Sequence, residues 1–137
     1  MAFQLNFDLR HQYPSHESGI TIETILRRGE KQFLAEAKID TGAHLCLFER
    51  QIGEYLEIDI EQGLRKTMTT LAGSFTAFGH EVTLQTLGLT FQTFVYFAAD
   101  YQIQRNILGR QGWLQLVRLA IIDYDNELYL SPYDQPF

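Results

Sequence analysis

Residues 35–48 read AEAKIDTGAHLCLF. The alternation of small or apolar and charged side chains up to Ile39 is that of a strand with one buried face. It stops at Asp40-Thr41-Gly42-Ala43, and a second apolar block, Leu45 to Phe48, follows. A carboxylate is thereby set on a tight loop with buried flanks. The Thr41 hydroxyl can tie the loop down by hydrogen bonding, and Gly42 lets the backbone approach a ligand with no Cβ in the way. A carboxylate held between apolar walls can be tuned for acid–base work. The same triplet also makes an ordinary Asx turn, in which the aspartate bonds the backbone two residues on.

Working outward, most of the chain reads as strands. Gly19 to Arg27 and Gln32 to Ile39 form a hairpin through Arg28-Gly29-Glu30-Lys31. Thr67 to Leu71, Phe75 to Leu87 and Leu89 to Ala98 are further strands, with turns at Ala72-Gly73-Ser74 and Gly88. Leu119 to Asp123 and Glu127 to Leu130 form a last hairpin through Tyr124-Asp125-Asn126. Two segments carry helical spacing: Phe48 to Leu56, through Ile52, Tyr55 and Leu56, and Gln111 to Leu119, through Trp113, Leu116 and Val117. The expected fold class is all-β, a closed and mostly antiparallel structure with one or two short helices. The ends, before about Phe3 and after Pro132, read as loose. Ser131 to Phe137 holds two prolines, which suit an edge or a cap better than a central strand.

The chain has 137 residues, which is the size of one domain. Its single cysteine excludes an internal disulfide framework and a multi-cysteine zinc site. Seventeen acids against eleven bases, a net charge of −6, argue against general nucleic-acid affinity. No run approaches the roughly 18 apolar residues of a membrane span. The opening MAFQLNFDLRHQ lacks the apolar core of a signal peptide, so a cytoplasmic protein without a pro-segment is expected. Any active site must then be small or completed by a second copy.

A second motif joins the first. Arg105-Asn106-Ile107-Leu108-Gly109-Arg110 precedes the Trp113 segment. A strand ending in Asp-Thr-Gly-Ala, a helix at 48–56, a glycine-bearing hairpin TMTTLAGSFTAFGHEVTL and then Asn-Ile-Leu-Gly-Arg together resemble the retropepsins, the single-domain aspartic proteases of retroviral type. The match runs from about Ile20 to Leu130 and is most similar to the retropepsin-like domains of cellular organisms. The resemblance implies a peptide-hydrolysing enzyme that holds a water between two aspartates sharing one proton. Only one Asp-Thr-Gly is present, so the second aspartate would come from a second copy across a two-fold axis.

Carried over, the resemblance makes Asp40 the catalytic carboxylate and has Thr41 link the two loops across the dyad. Gly42, Ala43 and His44 would line the substrate cleft. Ala72, Gly73 and Ser74 would form a flap tip that closes over substrate, which binds as an added strand. Ile107 and Leu108 would pack beneath the loop and contribute to the cleft, Gly109 would permit a close turn and Arg110 would brace it. Retroviral members commonly carry an acid where His44 stands, so Arg110 needs another partner, and His44 can make binding pH-sensitive. Cleavage at mildly acidic pH by a homodimer, with no cofactor and no metal, is the expected activity. The alternative is a silent module that keeps the fold and the dimer without the chemistry. A third is an unrelated β-barrel that binds a small ligand as a monomer.

Other residues carry less. Cys46 reads as a buried thiol, with His44 its only local base. His11, His16, His44 and His80 show no metal-ligand spacing, and no phosphate-binding loop is present. The Phe91, Phe94, Tyr96 and Phe97 cluster has no basic groove beside it and reads as core or dimer packing.

Overall fold

Alternation fixes the first hairpin. In strand β2 (Thr21–Arg28) the buried side chains are Ile22, Thr24 and Leu26, and in β3 (Lys31–Ile39) they are Ala35, Ala37 and Ile39. A one-residue slip would turn both sets toward water, so the register, Ile22 opposite Ala37 and Leu26 opposite Phe33, is set by burial. The computed structural model describes residues 1–134. Its other strands are β1 (Leu9–Gln12), β4 (Leu47–Phe48), β5 (Leu64–Thr70), β6 (Gly73–Thr86), β7 (Leu89–Ala98), β8 (Ile107–Leu108), β9 (Val117–Ile122) and β10 (Glu127–Pro132). The single α-helix among the described residues, α1, spans Arg50–Tyr55.

Seven strands form one sheet in the order β2-β3-β8-β4-β7-β6-β5. β2 also pairs with β6, Thr24 to Arg27 against Thr86 to Thr83, which brings the sheet back on itself. The pairing is antiparallel except at β3–β8 and β4–β7. A second sheet of three strands has the order β1-β10-β9. Trp113, Phe48, Phe97, Ile22 and Leu26 are fully buried in the main core. The Trp113 indole donates to Thr86 Oγ1 over 3.0 Å, so both buried polar groups are satisfied.

Two expectations need correction. Gln111 to Leu119 is not a helix: a single 3₁₀ turn covers Leu114–Leu116, and β9 starts at Val117. Gly112, at φ 100°, takes a conformation that does not lead into a right-handed helix, and the β-rich VRLAII run pairs with β10 instead. Phe48 belongs to β4 rather than to the helix, which starts at Arg50. β10 continues past Leu130 to Pro132, but there it pairs with β9 alone, so Ser131 and Pro132 form an edge, as expected. Proline is tolerated there because β1 reaches only as far as Leu130, leaving Pro132 a neighbour on the β9 side alone. Residues 135–137 of that tail lie outside the described residues.

Candidate active site

Asp40 follows directly on β3, where the chain leaves the sheet, and is half-buried. Its Oδ1 accepts from the Gly42 amide at 2.9 Å, and its carbonyl accepts from the Ala43 amide at 3.1 Å. The Asx turn and the carboxylate are thus one feature: Oδ1 shapes the loop, while Oδ2 accepts no hydrogen bond among the described residues. The Thr41 hydroxyl, expected to tie the loop down, is exposed and makes no such bond.

The second motif lies alongside the first. β8 runs parallel to the end of β3, Lys38 beside Ile107 and Ile39 beside Leu108. The Asp40 amide donates to Leu108 O at 3.0 Å, and the Arg110 and Gln111 amides donate to Ala43 O and His44 O, both at 2.9 Å. The loop is therefore laced to residues 108–111 by main chain. Gly109 sits where a Cβ would lie 2.2 Å from Leu45 O, so the two segments meet too closely for any side chain. Arg110 braces through its backbone: its guanidinium is exposed and has no partner among the described residues.

Above the loop stands the β5–β6 hairpin. Its turn is Leu71-Ala72, one residue earlier than expected, with Gly73 and Ser74 already paired to Thr70 and Thr69. Thr70 Oγ1 accepts from the Ala72 amide at 3.2 Å and donates to Gly73 O at 3.1 Å, which stiffens the tip. Between hairpin and loop lie two adjoining hollows of about 960 and 450 Å³. Both are lined by Asp40, Gly42, Leu47, Phe75, Arg105 and Ile107. Ala72, Gly73 and Ser74 line the larger, Ala43 and His44 the smaller. Leu108, expected in the cleft, is fully buried and supports the loop from beneath. The cleft floor rests on a separate apolar cluster, Leu47, Ala77, Tyr96 and Ala98, against which Phe75, Ile103 and Ile107 pack.

The loop from Ala99 to Asn106 forms one wall. Arg50 of α1 grips Glu61 with two hydrogen bonds (2.7 and 2.5 Å), Glu54 at 3.2 Å and the Ala99 carbonyl at 3.1 Å. Tyr101 donates to Glu54 at 2.6 Å. The hydrogen-bonded guanidinium holds the Glu61 carboxyl below its ordinary range. At the other end Asn106 accepts from the Glu49 amide at 3.1 Å and donates to its carboxylate at 3.0 Å. Both ends of the wall are thus pinned to the start of α1. Of the residues that pin the wall, Asn106 lies in the second motif.

Cys46 is fully buried; its sulfur accepts from the Gly109 amide at 3.4 Å, and burial pushes the thiol up to about 12. It is no nucleophile at neutral pH. The raised value means that the fold prefers the protonated thiol. This contribution is complete below the ordinary 9.0 and is lost as pH rises toward about 12. By pH 11 the loss amounts to about 2–3 kcal/mol. Urea unfolding from pH 7 to 11 should fall more steeply for the wild type than for Cys46→Ala; equal slopes would remove the thiol from the account. His80 is also buried, with a ring nitrogen 2.8 Å from Ile60 O. Among the described residues no group of side chains could hold a metal ion, and no helix is long and apolar enough to cross a membrane.

No protein-family model matches the chain, and no curated protein does. Solved structures do resemble it. A retropepsin-like aspartic protease from Rickettsia conorii superposes with a TM-score of 0.66 at 15% identity, over 90% of this chain and 97% of that one. The EIAV protease complexed with the inhibitor HBY-793 superposes with a TM-score of 0.54 at 20% identity, over 69% of this chain and 85% of that one. The chain has the retropepsin-like fold.

Proposed function

We propose that this chain is an aspartic endopeptidase, one retropepsin-like unit per subunit, whose site is completed in a homodimer by the Asp40 of each copy. The observation that carries the reading is that Asp40 is the one carboxylate among the described residues lining the cleft under the hairpin. One carboxylate cannot both accept a proton from water and, protonated, polarise the scissile carbonyl. Two in one site share a proton and divide those tasks. The exposed loop around Thr41 and Gly42 leaves room for a symmetric neighbour, which an isologous contact requires.

In this mechanism an extended peptide lies between loop and hairpin, backbone against Gly42 and the hairpin tip, with side chains in the two hollows. One Asp40 accepts a proton from the held water as its oxygen attacks the carbonyl carbon. The other donates its proton to the carbonyl oxygen, and proton return to the amide nitrogen accompanies C–N cleavage. Closing the hairpin excludes bulk water.

Because the monomer holds half a site, specific activity should fall on dilution through the dimer dissociation constant. The check is peptide cleavage across a thousand-fold range of protein, alongside sedimentation. A monomer with undiminished specific activity would overturn the shared site.

A further inference from the structure

We propose that the cleft selects acidic peptides: an apolar segment at the cleaved bond, flanked by glutamate or aspartate that meets Arg105 and Lys66. The inference deepens the peptide-cleft reading above and rests on it.

The charge around Asp40 runs against that of the chain. The protein as a whole carries −6, yet the residues lining the two hollows include the cations Arg105 and Lys66 and the titratable His44 against Asp40 alone. Arg105 lines both hollows, two residues before Ile107, which also lines both. Lys66 comes from the other side, on β5 beside Met68 and Thr70. Both cations are exposed, and neither has an acid partner among the described residues. Arg50, by contrast, is gripped by Glu61 and Glu54. The cleft cations are therefore available to a ligand. Between them the walls are apolar, with Leu47, Phe75 and Ile107 flanking Asp40.

An extended peptide places successive side chains on opposite faces, so apolar groups can fill the walls while neighbouring acids reach a cation. The pinned wall holds Arg105 in place, and in a symmetric pair each cation occurs twice. Exposed ion pairs are individually weak, equivalent to a factor of about 1.5–5 each, so two or more give roughly a ten-fold preference. A lysine in the same positions would meet like charge and be rejected.

The test separates binding from cleavage. Asp40→Asn protein is titrated, by fluorescence anisotropy, with labelled decapeptides holding a central Leu-Phe and flanked by Glu, Gln or Lys. The Glu series should bind about ten-fold more tightly than the Lys series, with Gln between, and the difference should shrink with added salt. Arg105→Glu with Lys66→Glu in the same background should reverse the order; Arg105→Gln with Lys66→Gln should level it. Equal binding by the three series, an order unchanged in the charge-reversed protein, or no binding of any peptide would overturn the proposal. Wild-type protein is then assayed for cleavage of the same peptides. Equal cleavage of all series would overturn the charge preference and leave the endopeptidase standing. Selective binding of the Glu series with no cleavage would do the opposite.

Discussion

Asparagine in place of Asp40 is expected to lower the rate of peptide cleavage by at least about a thousand-fold while leaving the fold intact. Asn keeps the Oδ1 acceptor that takes the Gly42 amide at 2.9 Å, so the turn is retained. It removes the proton chemistry, because an amide neither accepts a proton from water nor delivers one to a carbonyl at working pH. Positioned acid–base groups contribute about 10²–10⁴ each, and in the proposed dimer one substitution removes both members of the pair. The control is thermal unfolding, where the midpoint should move by no more than a degree or two. Mixing has a further consequence. Subunits that exchange freely should give heterodimers with one Asp and one Asn, and excess mutant should silence the wild type. Equal cleavage by mutant and wild type would take Asp40 out of the mechanism. Inactivity of both, with peptide binding kept by the mutant, would favour the silent module.

Alanine at Gly109 is expected to cost about 3–5 kcal/mol of stability, far more than most single substitutions. The added Cβ would lie 2.2 Å from Leu45 O, 2.7 Å from its carbonyl carbon and 2.9 Å from Ala43 O. All three are main-chain atoms, so no side chain can swing aside. Relief requires moving residues 108–111 off the loop, at the expense of the Arg110–Ala43 and Gln111–His44 hydrogen bonds, both 2.9 Å. Each such bond contributes about 1 kcal/mol, and overpacking adds about 1–3. Against a typical total of about 5–15 kcal/mol this threatens the fold at body temperature. Urea unfolding measures the loss; a change under 1 kcal/mol would show that the segments separate freely. Activity should fall with stability, since Asp40 is placed by that lacing.

Part of this was legible in sequence for a physical reason. β2, β3, most of β6 and β7 as far as Phe94 have burial patterns written in local alternation, and the turn at Asp40 is made by an aspartate bonding two residues along. The family resemblance marked Gly109, although not what it touches. The Trp113 segment misled because its apolar spacing suits a helix and a buried turn equally. Pairing of the residues from Val117 onward with β10 decided between them.

What the sequence by itself determined is the β2–β3, β6–β7 and β9–β10 hairpins, the Asp40 loop and the count of one Asp-Thr-Gly, whereas β1 and β8 carried no strand signal. These depend on period, turn residues and counting, all readable over a few neighbours. Only the tertiary structure decided that residues 108–111 lace the loop through their backbone, and that Arg50 and Asn106 pin one wall to α1. It alone brought Lys66 and Arg105 to the same cleft from distant elements. Such placements follow from non-local pairing, β3 against β8 and β4 against β7, which no local pattern encodes.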